Sequence, residues 1–126
     1  MRHFYILLLL FICSLATSAR TSNSFNHNRI APKHEVRAVW LTTIGGIDWP
    51  HSYAQTATSI EKQKNELRRI LNQLQAAGIN TVLLQTRVRG TVIYPSTIEP
   101  WDGCLSGKPG VSPGYDALQF AIDECH

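Results

Sequence analysis

The chain has 126 residues, 44% of them hydrophobic, and a formal net charge of +3. That balance suits one ordinary globular domain and excludes disordered and fibrous classes. The only basic concentrations are Arg68-Arg69 and the pair Arg87 and Arg89. They are too sparse for a nucleic-acid footprint, so no nucleic-acid partner is expected.

Residues 1–19 read as a cleaved signal peptide. Met1-Arg2-His3 is a short basic start, residues 4–15 are nearly all apolar, and Ala16, Thr17, Ser18 and Ala19 supply a small-residue cleavage site. The apolar run falls short of the roughly 20 residues that span a bilayer, so no spanning segment is expected after cleavage. Cys13 follows bulky Phe11 and Ile12, which disfavours a lipid anchor. Secretion or delivery to the periplasm is therefore the expected fate. Residues 20–34 are rich in Ser, Asn and Arg without apolar periodicity and read as a flexible tether.

Residues 35–126 carry the folded part. Val36, Ala38, Val39, Trp40 and Leu41 make residues 35–43 a strand buried on both faces, with Trp40 in the core. A loop with Gly45-Gly46 and Asp48-Trp49-Pro50 follows. Thr58 and Glu61 have the spacing of a capping box at a helix start. Ile60, Leu67, Ile70, Leu71 and Leu74 form that helix's apolar face, with Lys62, Lys64, Glu66, Arg68 and Arg69 on the wet side. Gly78 stands where a left-handed C-terminal cap belongs. Residues 79–88 form a second buried strand, completing a βαβ unit. By strand alternation Gln85 and Arg87 share a face. Residues 89–115 read as a long irregular stretch. Asp116 and Gln119 then cap a second helix with Leu118, Ala121, Ile122 and Cys125 at helical spacing.

This order predicts an α/β fold: about two βα units from the N-terminal part of a TIM (β/α)8 barrel, incomplete in this chain. An open Rossmann-like sheet is the weaker alternative, because the first strand-to-helix turn lacks a G-x-G-x-x-G phosphate cradle. Two units of eight are not expected to close a barrel alone, so the chain reads as a fragment.

The connections differ in character. The turn at Gly78 is minimal, whereas both strand-to-helix loops are long and chemically rich, as at the active face of a βα barrel. Asp48, Trp49, Arg87, Arg89, Tyr94 and Trp101 are the candidate substrate-binding residues. Trp49, Tyr94 and Trp101 suit sugar rings, each burying about 150 Å² for at most ~4 kcal/mol at about 25 cal/mol per Å². They equally suit pins that hold the loops to the rim. Arg87 and Arg89 suit a substrate carboxylate or paired hydroxyls, or salt bridges to Asp48, Glu99 or Asp102. Hydrolysis of a glycoside normally uses two carboxylates. Asp48, Glu99 and Asp102 are present, but none has an evident reason for a raised pKa, so the catalytic residues stay unassigned. His27, His34, His51 and His126 lack metal-ligand spacing, and neither metal nor cofactor is expected. Cys104 and Cys125 read as two separate small side chains, although an oxidising compartment would permit their pairing.

Several segments resemble the glycosyl hydrolase-like 10 family. They are Val36-Arg37-Ala38-Val39-Trp40-Leu41-Thr42-Thr43, then Ala77-Gly78-Ile79-Asn80-Thr81-Val82-Leu83-Leu84-Gln85-Thr86-Arg87. Tyr94-Pro95-Ser96, Glu99-Pro100-Trp101, Pro113-Gly114-Tyr115-Asp116 and Phe120-Ala121-Ile122 follow in order. The resemblance covers residues 35–126. It implies a TIM-barrel glycosidase-like domain, usually exported, with a polysaccharide or cell-wall glycan as substrate. It also implies that the acid and the nucleophile or base lie on later strands, absent here. A non-catalytic glycan-binding barrel, or a truncated product without independent activity, are the alternatives.

Overall fold

The computed structural model describes residues 35–126. The signal-peptide and tether expectations fall on residues 1–34, outside the described residues. Strand β1 (Ala38–Leu41) is followed by helix α1 (Ala57–Ala76) and strand β2 (Thr81–Leu84). The two strands pair in parallel, with Ala38 opposite Thr81 and Leu41 opposite Leu84. The βαβ unit read from the sequence is present.

Local chemistry explains the boundaries of α1. Thr56 is extended, its Oγ1 accepts from the Ser59 N–H at 3.2 Å, and Ser59 Oγ accepts from the Thr56 N–H at 2.8 Å. This reciprocal box satisfies two amides of the first turn. It corrects the expected Thr58–Glu61 box: the helix starts earlier, and Ser59 fills the role assigned to a glutamate. At the other end Gly78 has φ +83°, with Gly78 N–H bonded to Gln75 O and Ile79 N–H to Leu74 O. That is a Schellman closure around the expected glycine.

The second strand is shorter than residues 79–88. The Gln85 N–H still bonds Leu41 O at 2.9 Å, and then the chain leaves the parallel ladder. Arg87–Val88 (β3) pairs antiparallel with Thr91–Val92 (β4) through Arg89-Gly90, at φ +50° and +78°. Two consecutive positive φ values suit a tight two-residue hairpin turn. The stretch read as irregular therefore contains a hairpin, and also a short helix α2 (Gly103–Ser106) capped by Asp102. Helix α3 (Ala117–Cys125) starts as expected, Asp116 Oδ1 accepting from the Gln119 N–H at 3.0 Å.

Helices α1 and α3 cover one face of the β1–β2 pair. Leu41, Leu67, Ala117 and Ala121 are buried there, with Val82, Leu84, Leu71 and Phe120 packed against them. Truncating a buried leucine such as Leu67 typically costs about 2–5 kcal/mol. The Arg68–Glu124 ion pair at 2.8 Å joins the two helices at the surface. Trp40 belongs to the other face and is 59% exposed opposite half-exposed Leu83, so its expected core position is corrected. Strand alternation separates it from Leu41, and among the described residues nothing covers that side. Among the described residues, Cys104 and Cys125 form no disulfide with each other, Cys104 being buried and Cys125 exposed.

Candidate functional site

The loops that follow β1 and β2 are tied to the strands and to each other by side chains reaching main-chain groups. After β1, Asp48 Oδ2 accepts from the Thr42 N–H at 2.7 Å, closing the loop on itself. Gln85 Oε1 accepts from the N–H groups of Thr43 and Ile44, both at 3.0 Å, while Thr43 Oγ1 donates to Gln85 O. Gln85 thus clamps the β1 loop. The parallel strand ends at Leu84, so Gln85 and Arg87 lie outside it and engage different partners, the β1 loop and Glu99.

Gln63 of α1 joins the two loops. It is fully buried. Its Nε2 donates to the carbonyls of Ser52 and Leu105, and its Oε1 accepts from the Tyr115 hydroxyl at 2.9 Å. Its own carbonyl receives the Trp49 Nε1–H at 3.0 Å. A buried amide with its hydrogen-bonding capacity met in this way holds several segments in one arrangement. Sequence reading passed over Gln63. The available signal was its position between Ile60 and Leu67, at helical spacing on the apolar face.

Between the tethered loops lies an open cleft of about 680 Å³, lined among others by His51, Ser52, Tyr53, Arg89, Thr91 and Asp102. Asp102 is buried there. Its Oδ2 accepts from Thr91 Oγ1 at 2.5 Å and its Oδ1 from the Cys104 N–H at 2.7 Å. Desolvation opposes its ionisation, yet the Thr91 and Cys104 hydrogen bonds and the charge of Arg89 hold its pKa below the ordinary value. The same burial, with Asp102 alongside, pushes the Cys104 thiol up to about 12. Cys104 is therefore a protonated packing group at neutral pH and not a nucleophile.

The six candidate residues take three kinds of place. Arg89 lines the cleft. Arg87 instead grips Glu99 with a bidentate fork, its Nε lying 2.8 and 2.7 Å from the two carboxylate oxygens. The hydrogen bond that Arg87 donates to Glu99, ahead of the carboxylate's charge, raises the arginine pKa, and the carboxylate is held below its usual range. Tyr94 is half-buried near that pair. Trp49 is 0% exposed, so it offers no platform to a sugar and serves as a loop pin. Trp101 is half-buried against the core and bridges to Val92. Asp48 closes its loop. His51 and Tyr53, absent from the sequence reading of the site, lie in the cleft because Trp49 and Gln63 anchor the segment that carries them.

A parallel βαβ unit whose strand-to-helix loops enclose a cleft defines an α/β protein of the kind that binds ligands beyond the carboxyl ends of its strands. Residues 35–126 match the glycosyl hydrolase-like 10 family model, and the chain belongs to that family. It is 39% identical over 95 residues to glycosyl hydrolase DigH of Escherichia coli (strain K12), covering 72% of this chain and 22% of that protein. It is also 39% identical over 92 residues to glycosyl hydrolase YngK of Bacillus subtilis (strain 168), covering 73% of this chain and 18% of that protein. The chain spans about a fifth of the length of the curated relatives it matches. Among the described residues no helix is long and apolar enough to cross a membrane.

Proposed function

We propose that this chain forms the first two βα units of a larger (β/α)8 barrel that is exported and hydrolyses glycosidic bonds in a polysaccharide or cell-wall glycan. The cleft between the two strand-to-helix loops forms part of the substrate site. That cleft carries the reading: both loops meet there, while the helix-to-strand turn at Gly78 is minimal. Family membership and relatives described as glycosyl hydrolases support the chemistry. The basic start, apolar run and small residues of segment 1–19 support export.

The carboxylates in hand are engaged. Asp102 is held by Thr91 and Cys104, Glu99 by Arg87, and Asp48 by Thr42. The general acid and its partner are accordingly assigned to later units of the barrel. This engagement equally favours a second reading, a glycan-binding barrel without hydrolytic activity. The test uses the intact protein with soluble and insoluble glycans, following new reducing ends and retention on the polysaccharide. New reducing ends are expected. Retention without them would select the binding module, and neither would sink both readings.

A further inference from the structure

His51 is held in an unusual way for a loop residue. Its backbone N–H donates to Glu66 Oε2 at 3.0 Å, and its ring Nδ1 lies 2.5 Å from Glu66 Oε1. One carboxylate on α1 therefore fixes both the main chain and the imidazole. The Glu66 side chain is only 16% exposed, whereas that of His51 is 55% exposed and borders the cleft. A carboxylate oxygen accepts hydrogen bonds, so the proton of a neutral His51 ring resides on Nδ1. Nε2 then carries a lone pair, and no residue described in the structure bonds to it. Next in sequence, Ser52 also lines the cleft, while its Oγ is buried without a hydrogen-bond partner among the described residues.

We propose that His51 contacts the ligand in the cleft, its Nε2 accepting a hydrogen bond from a sugar hydroxyl, and that Glu66 is the positioning residue that sets its tautomer and orientation. The proposal rests on the glycan reading above and assigns to it a residue pair that discriminates among sugars. A ring with Nδ1 protonated selects a hydroxyl aimed as donor. A deoxy or O-substituted sugar at that position leaves Nε2 without its partner. Discrimination of this kind is strong because the mismatched ligand leaves a polar group unpaired.

The experiment is long-range proton–nitrogen NMR on histidine-labelled intact protein, titrated with chitohexaose, cellohexaose and xylohexaose. Without ligand, the His51 signals should show Nδ1 protonated and Nε2 unprotonated. A binding oligosaccharide should shift the Nε2 resonance. His51→Ala should weaken that oligosaccharide about tenfold, the scale of one net hydrogen bond. Glu66→Ala should redistribute the tautomer and weaken binding about threefold, with no further loss in the His51→Ala background. The tautomer is read on the unmodified protein, so misfolding of a variant does not remove the test. Binding that leaves Nε2 unmoved, a ring with Nδ1 unprotonated, or a ring protonated on both nitrogens would overturn the assignment while leaving the glycan reading intact. Absence of binding by all three sugars would overturn the glycan reading, and this proposal with it.

Discussion

The indole of Trp49 and the backbone of Gln63 meet in a 3.0 Å hydrogen bond between two residues with no solvent exposure. The contact fastens the β1 loop to α1 and carries His51 and Tyr53 to the cleft. Trp49→Ala should therefore destabilise the intact protein by about 3–5 kcal/mol, as large aromatic truncations do. Trp49→Phe keeps a ring but loses this hydrogen bond, the Gln63 carbonyl retaining its place in the helix, for a loss of about 0.5–1.5 kcal/mol. Denaturant unfolding of both variants measures the difference. A Trp49→Phe variant as stable as the unmodified protein would show that the indole N–H contributes nothing.

Asp102 gives the cleft an acid-sensitive element. Its folded-state pKa lies below the ordinary value of 3.8. The stabilisation it provides is thus in place above that value and is lost as pH falls through the folded-state pKa. Asp102→Asn should lower stability at neutral pH and flatten the loss below about pH 4. Thermal midpoints from pH 2 to 7 would reveal this. Parallel curves for the two proteins would contradict it.

Cys104 and Cys125 should differ in reactivity. Cys104 is buried with its thiol pushed up to about 12, whereas Cys125 is exposed, its thiol raised more modestly by partial desolvation and by Glu124. Peptide-resolved alkylation of the native protein should label Cys125 first and Cys104 only on unfolding. Comparable rates in the native state would mean that α2 opens readily.

Gly78 closes α1 at φ +83°, and an added Cβ would meet Arg37 Nε at 3.8 Å, an ordinary contact. The cost of Gly78→Ala is therefore backbone strain and not a clash, about 1–2 kcal/mol. Asn in its place should restore part of the loss, since it tolerates this conformation better than alanine. Equilibrium unfolding of the two variants would decide.

The parts legible in the sequence were those fixed within a few residues. Gly78 and the Asp116–Gln119 cap could be placed because a positive φ or an i+3 hydrogen bond needs only local chemistry. The Thr56–Ser59 box was missed because a serine does the work usually read from glutamate. The Arg89-Gly90 hairpin turn lacks the common Asn-Gly or Asp-Gly signal. Trp49 could not be divided between platform and pin, since its burial depends on α1 crossing behind the loop. Arg87 and Glu99 are 12 residues apart, and charge alone permits Asp48 and Asp102 as partners equally well. The cleft residues His51 and Tyr53 have no sequence signature; the tertiary tethers at Gln63 and Glu66 put them there.

The central claim is that the two strand-to-helix loops jointly bind a glycan. Hydrogen–deuterium exchange of the intact protein, with and without a bound oligosaccharide, tests it most directly. The account predicts slowed exchange in residues 44–56 and 89–109 together, with the Gly78 turn unchanged. Protection confined to other segments, with both loops exchanging as in the free protein, would contradict it.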